Sequence, residues 1–282
     1  MWRIVETGGT TLVSLDELHD AFGIAAGFST RLGGVSEPPF DTLNVGLHVG
    51  DRRRDVLENR NRLARAIGLS LESMVFANQM HRAAIAEVAA SDRGRGAHCT
   101  ENAFAATDGL MTRAAGAALV LTFADCVPIL LYAPSVPAIA VVHAGWRGTA
   151  CSIAALSVAL MSSEYGVDRS SIHAVIGPAI GPCCYEVAAE TARQVKEKAG
   201  CAGPSGSEEA ASAGTAYGAA RVSLDLPAEN IAQLTEAGVP GSNIARVNIC
   251  TSCRRDLFFS HRSEGGRTGR FAAFAYIPRR RL

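Results

Sequence analysis

His81, Cys126 and His143 are three potential metal ligands in comparable places, each just beyond an apolar strand-like run, MVFANQM, ALVLTFAD and AIAVV. They stand 45 and then 17 positions apart, so they form no local finger motif. If those strands are neighbours in one sheet, their ends converge at one rim, where sites in open α/β sheets form. Two imidazoles and a thiolate suit a borderline-soft ion and leave a fourth tetrahedral position for water or substrate. The plainer alternative also stands: free cysteine is among the most buried residue types, and a histidine at a strand end is more often a hydrogen-bonded structural group.

The surroundings favour chemistry. His143 opens HAGWRG, where two glycines permit close backbone approach and Arg147 offers a bidentate donor for an anion. Cys126 lies in ADCVP, and Asp125 beside it is a candidate to orient a ligand histidine. An acid next to a thiol raises the thiol pKa unless a metal or cation is near, which favours a metal thiolate over a free nucleophile. Cys250 and Cys253 form a CxxC, but no second CxxC supplies further ligands. Cys183 and Cys184 in GPCCYEV are expected to be packing or pocket lining. Asp108 in ATDGLMT is either a turn residue or a site acid, and His261 and Arg270 are expected to organise the C-terminal region.

Positioning these groups requires a sheet-rich frame. Ala25 to Asp51 begins as a short strand and becomes a long loop rich in Gly, Pro, Ser and Asn, and such loops are usually functional or disordered. Arg52 to Ile67 reads as an amphipathic helix, with Asp51 as N-cap and Gly68 as the stop. Met74–Ala77, Ile85–Ala90, Ala117–Phe123, Val127–Tyr132 and Ile139–Val142 are apolar runs too short for helices, so they read as strands. Helices are expected over Gly148–Tyr165, Val187–Lys198 and Ala228–Ala237, and strands over Ile172–Ile176, Arg221–Leu224, Ala245–Ile249 and Phe271–Ile277. Residues 200–220 are low in complexity and read as a mobile insertion. No repeat or linker divides residues 1–282, so a single α/β or α+β domain is expected.

Composition narrows the function classes. The 282 residues carry 27 basic and 27 acidic side chains, and this neutrality removes the simplest electrostatic case for nucleic acid. Hydrophobic residues make up 48% and charged ones 19%, which argues against global disorder. No apolar run approaches the roughly 18 residues of a membrane span, and the N-terminal segment lacks a signal-peptide pattern, so a cytoplasmic location is expected. In that reducing compartment the eight cysteines are more often fillers, ligands or nucleophiles than disulfide partners.

In order along the chain, TRLGGVSEPPFDTLNVGLHVGD, NQMH, ATDGLMT, ADCVPIL, HAGWRG, GPAIGPCCYEV, SLDL, CTSCRRDLFFSHR and TGRFAAF resemble the YfiH family, also called the multicopper polyphenol oxidase or laccase-domain family. The resemblance runs from about Phe28 to Tyr276. It implies a layered α-β-β-α sandwich similar to that of the cytotoxic necrotizing factor deamidase toxins, and a zinc site of two histidines and a cysteine that falls on His81, Cys126 and His143. It also implies purine nucleoside chemistry: phosphorolysis of adenosine, inosine, guanosine and methylthioadenosine, with adenosine deamination as a second activity. Family members commonly have a glycine after the first ligand histidine and a second arginine after the HR near the C-terminus. Here those places hold Arg82 and Ser263, and Arg82 would narrow the pocket or add an anion contact.

For such a phosphorylase, phosphate must be held near the anomeric carbon of an oxocarbenium-like ribose. Arg31 and Arg147 are the candidates for that anion, and His48 and Asn44 for ribose or phosphate, each weighed against a structural role. Deamination needs an activated water at the purine six-position, which a three-ligand zinc supplies by lowering the pKa of water toward ~7. Three other readings follow from the same resemblance or residues. A copper-dependent polyphenol oxidase would need several coppers for full dioxygen reduction, and one three-ligand site is too few. A cysteine–histidine hydrolase or deamidase would use Cys126 as nucleophile and His143 as base. An enzyme that edits peptidoglycan precursors is the third.

Overall fold

The computed structural model describes residues 2–15, 18, 22–198 and 220–279. The insertion expected at 200–220 lies, except for Ala220, outside the described residues. None of the helices is long and apolar enough to cross a membrane among the described residues.

A hairpin lies near the N-terminus. Strands β1 (Arg3–Thr7) and β2 (Thr10–Ser14) pair antiparallel around Gly8 and Gly9, at φ 56° and 76°. Positive φ at both central residues gives the turn a twist that matches the strands it joins. With β3 (Ala25–Ser29), β4 (Met74–Phe76), β7 (Ala118–Phe123) and β14 (Phe271–Tyr276) they make a six-stranded sheet in the order β1-β2-β3-β14-β7-β4. The second six-stranded sheet holds β5 (Ile85–Glu87), β6 (Gly109–Thr112), β8 (Val127–Ala133), β9 (Ala138–Ala144), β10 (His173–Ile176) and β13 (Ile244–Arg246), in the order β13-β10-β8-β9-β6-β5. A small ribbon pairs β11 (Glu186–Ala188) with β12 (Arg221–Ser223).

Successive side chains on a strand face opposite ways, and here both faces are apolar because both are covered. In β7, Leu119, Leu121 and Phe123 point between the sheets, where they meet Leu130, Val141 and Val175 of the second sheet. Ala118 and Val120 point outward and pack with Leu63 and Ala64 of helix α1 (Arg53–Ala66). The second sheet mirrors this: Ile129, Leu131 and Val142 face outward onto Ile153, Val158 and Met161 of helix α3 (Ile153–Tyr165). The result is the α-β-β-α sandwich that the resemblance implied.

The helices depart from their expected bounds for local reasons. Asp51 does not cap α1; one of its carboxylate oxygens accepts from Ser36 Oγ at 2.6 Å and Asn44 Nδ2 at 2.9 Å, the other from the Arg52 N–H, and Arg52 itself is the N-cap. Gly68 does end that helix region, at φ 73°. The helix expected over Gly148–Tyr165 is two: α2 (Trp146–Ala150) and α3, broken at Ser152, whose φ is 55°. The break has a cause in the Thr149 carbonyl, which accepts from Gln233 Nε2 at 2.7 Å and from Ser152 N instead of continuing the helical ladder. Gln233 belongs to α5 (Leu226–Glu236). Nearby Cys151 is disulfide-bonded, a departure from the expectation of thiols. Residues 187 and 188, expected to be helical, lie in β11, and α4 (Ala189–Lys196) begins where that pairing ends.

Candidate metal centre

His81, Cys126 and His143 meet at the rim of the sandwich, and the strands that carry them belong to two sheets rather than one. β4 and β7 lie side by side in the first sheet, and β9 lies in the second. The chain crosses from one sheet to the other between β7 and β8, and Cys126 stands at that crossing. His143, near the end of β9, is paired in register with Pro128, two residues beyond Cys126. His81 follows β4, on a segment fastened to β7 by Gln79, whose amide gives to the Thr122 carbonyl and takes from the Thr122 N–H, each at 2.9 Å. One ligand atom from each of His81, Cys126 and His143 lies within 4.8 Å of the other two. His143 and Cys126 are buried, at 3% and 8% exposure, and His81 is half-buried.

Asp108, either a turn residue or a site acid by sequence, organises this group. It is completely buried, just ahead of β6. One of its oxygens accepts from the His81 N–H at 2.9 Å and from His143 Nδ1 at 3.0 Å. The other accepts from the N–H groups of Met80 at 3.2 Å and Arg82 at 2.8 Å. A carboxylate can only accept, so Nδ1 of His143 donates and Nε2 becomes the ligand atom. Burial works against ionising Asp108, but the His143 hydrogen bond and charge and the Arg82 N–H outweigh it and hold the carboxyl below its ordinary value. His81 adopts φ 57°, a left-handed conformation that costs a non-glycine residue roughly 1–3 kcal/mol. The three consecutive N–H bonds to Asp108 fix that conformation.

Asp125, the residue expected to orient a ligand histidine, fastens the surrounding loops. Its carboxylate accepts from Thr251 Oγ1 at 2.6 Å and from the Arg262 N–H at 2.7 Å, and its carbonyl from the Ile180 N–H at 2.9 Å. Gly145 closes the site from the other side: a Cβ there would lie 3.0 Å from Cys126 Sγ and 3.2 Å from His81 Cδ2. The donor set, the oriented imidazole and the space a Cβ would fill all fit a metal ion. Phe123 packs against His143 at 5.3 Å between ring centroids.

The expected anion and ribose contacts separate in the structure. Arg31 is 9% exposed and braced inside the long loop: Nε gives to the Asp41 carbonyl at 2.8 Å, and the terminal nitrogens give to the Arg255 carbonyl, Glu264 and Asp41. Its guanidinium also lies 4.7 Å above the Phe259 ring. Asn44 is 0% exposed, and its amide bonds Gly46, Asp51 and the Arg270 N–H within the loop. His48 lies exposed on the same loop. Arg147 is different: half-exposed, with its guanidinium stacked 4.4 Å over Trp146 and making no hydrogen bond or ion pair among the described residues. Arg82 extends an exposed side chain one residue past His81, and the Ser263 hydroxyl bonds that of Ser252.

A family model described as "Multi-copper polyphenol oxidoreductase laccase" matches residues 25–278. Among curated relatives, "Purine nucleoside phosphorylase YlmD" of Geobacillus stearothermophilus is 46% identical over 252 residues, covering 89% of each chain. The crystal structure of Bacillus licheniformis hypothetical protein YfiH superposes with a TM-score of 0.87 at 38% identity, covering 98% of each chain. That of YlmD from Geobacillus stearothermophilus gives 0.83 at 43% identity, covering 91% of this chain and 93% of the other.

Proposed function

The chain belongs to the multi-copper polyphenol oxidoreductase laccase family, the YfiH family, and from that premise we propose that it is a zinc-dependent purine nucleoside phosphorylase with adenosine deamination as a second activity. Its substrates would be phosphate and a nucleoside such as adenosine, inosine, guanosine or methylthioadenosine. The carrying observation is the His81, Cys126 and His143 group, backed by Asp108, with Arg147 four residues beyond His143 in the HAGWRG turn and its guanidinium uncommitted among the described residues. Three donors suit a catalytic ion, whereas structural zinc is normally held by four.

The reaction breaks the bond between the ribose anomeric carbon and a purine nitrogen and joins that carbon to a phosphate oxygen. Arg147 binds the phosphate through a planar fork of donors, and its stacking on Trp146 limits the orientations it loses on binding. Arg82 adds a second positive charge at the rim. Asp108 keeps His143 in one tautomer and one orientation, so nothing reorganises as charge develops. When bound, zinc supplies Lewis acidity toward the leaving base or a water.

The test is direct: zinc-replete protein with adenosine and phosphate should release adenine and ribose-1-phosphate, with inosine appearing separately from deamination. No phosphate-dependent product across several purine nucleosides would overturn the assignment. Arg147→Ala should raise the KM for phosphate ~10–100-fold while leaving deamination nearly intact, as expected for loss of charged hydrogen bonds. Metal analysis of protein purified without added copper separates zinc from copper.

One observation favours a second reading. Cys126, His143 and Asp108 also have the order of a nucleophile, base and orienting acid. That hydrolase would be inactivated by thiol alkylation and indifferent to chelators, whereas the phosphorylase loses activity on chelation.

A further inference from the structure

The two cysteine motifs that the sequence could not join come together in space. Cys183 and Cys184, from the loop before β11, and Cys250 and Cys253, from the loop after β13, place their four Sγ atoms all within 4.8 Å of one another. Two of the separations are 3.6 Å, between Cys183 and Cys253, and 3.4 Å, between Cys184 and Cys253. Four thiolates around one zinc at ~2.3 Å would stand ~3.8 Å apart, so the cluster has nearly the dimensions of that tetrahedron. We propose that Cys183, Cys184, Cys250 and Cys253 form a second metal site, a closed tetrathiolate for zinc, separate from the His81, Cys126 and His143 group.

The backbone around the thiols is arranged for it. The Gly181 N–H donates to Cys250 Sγ at 3.2 Å, a bond that stabilises a thiolate. A Cβ on Gly181 would lie 3.3 Å from Cys183 Sγ and 3.4 Å from the Cys250 Cβ, so this glycine lets the two loops approach. Ala179 and Cys250 form a parallel bridge, the Thr251 N–H gives to the Ala179 carbonyl at 3.1 Å, and the Cys184 N–H gives to the Gly181 carbonyl at 3.0 Å. Four soft donors leave no open position, so the ion is structural, and its binding releases the thiol protons. The same loops carry Ile180 and Thr251, which bond Asp125 beside Cys126. The tetrathiolate therefore clamps the wall of the first site without lining it.

Zinc per chain, measured on full-length protein kept reduced, tests the proposal. Cys250→Ser with Cys253→Ser should lose one zinc ion relative to the unaltered protein and keep the one that a His81→Ala, His143→Ala variant loses. A cysteine variant that holds as much zinc as the unaltered protein overturns it. Alkylation of the unaltered protein needs no substitution: the exposed Cys183 and Cys253 should be protected when zinc is bound and react after chelation. Equal reactivity with and without zinc, or two disulfides among the four cysteines in reduced, zinc-supplied protein, overturns it. Cobalt adds an independent readout, since four thiolates per ion give a far stronger sulfur-to-cobalt absorption than the single thiolate of Cys126.

Discussion

Asp108 carries more of the candidate centre than any ligand does, because it fixes His143 by its side chain and His81 by its backbone. Asp108→Asn would turn an all-acceptor carboxylate into a group with one acceptor oxygen and a donor facing other donors. Metal affinity should fall ~10–100-fold, the usual range for lost outer partners of ligand histidines, as measured by zinc competition. Gly145→Ala probes space without charge. Its methyl would meet Cys126 Sγ and His81 Cδ2, so zinc affinity and activity should fall far more than the melting temperature, because Gly145 has an ordinary φ of -75°. The three ligand candidates were legible because each follows a strand-like run. Asp108 was not, since one acid in a turn gives no sign of which distant backbone it receives. Nor were the burial of Asn44 and its bond to Asp51, since a polar residue in a glycine-rich loop shows nothing of its partners.

Among the elements, the long loop after β3 is braced by buried polar contacts. Arg31 ties it to the C-terminal region through Glu264, which also accepts from the Ser260 N–H and from Thr268 Oγ1. Burial alone would raise the Glu264 carboxyl, but those donors and the Arg31 charge hold it below its ordinary 4.5. A depressed carboxyl stabilises the fold above its unfolded pKa, and the contribution is lost as pH falls through the folded value. Glu264→Gln should therefore be less stable than the unaltered protein at neutral pH, and the gap should close in acid. Denaturant melts at neutral pH and well below 4.5 check this. Most strands were legible because both faces of the central ones are apolar and their runs are short. The split between α2 and α3 was not, because it depends on Gln233 reaching across from α5 to the Thr149 carbonyl.

Across the molecule, sequence reasoning reached the layers but not how they are joined. Short apolar runs imply sheets, yet nothing in ALVLTFADCVPILL shows that the chain changes sheet at Cys126. The two faces of β7 could belong to one sheet or to a sandwich, and only the packing of Leu121 against Val141 decides. That crossing has a dynamic consequence. His81 is carried from an edge strand of the first sheet, His143 by the second, and Cys126 by the connection between them, so an ion held by all three spans the seam. β4 pairs with β7 over three residues, and its other edge is held by loop bonds to Gly94, Arg95 and Phe104, so its separation from the sheet is the local opening that such an ion would oppose. Zinc should slow amide hydrogen exchange in residues 74–82 and at the end of β9 while leaving the distant β1–β2 hairpin unchanged. An ion with that pattern of protection would act on the protein as a rivet, coupling the opening of one sheet to that of the other.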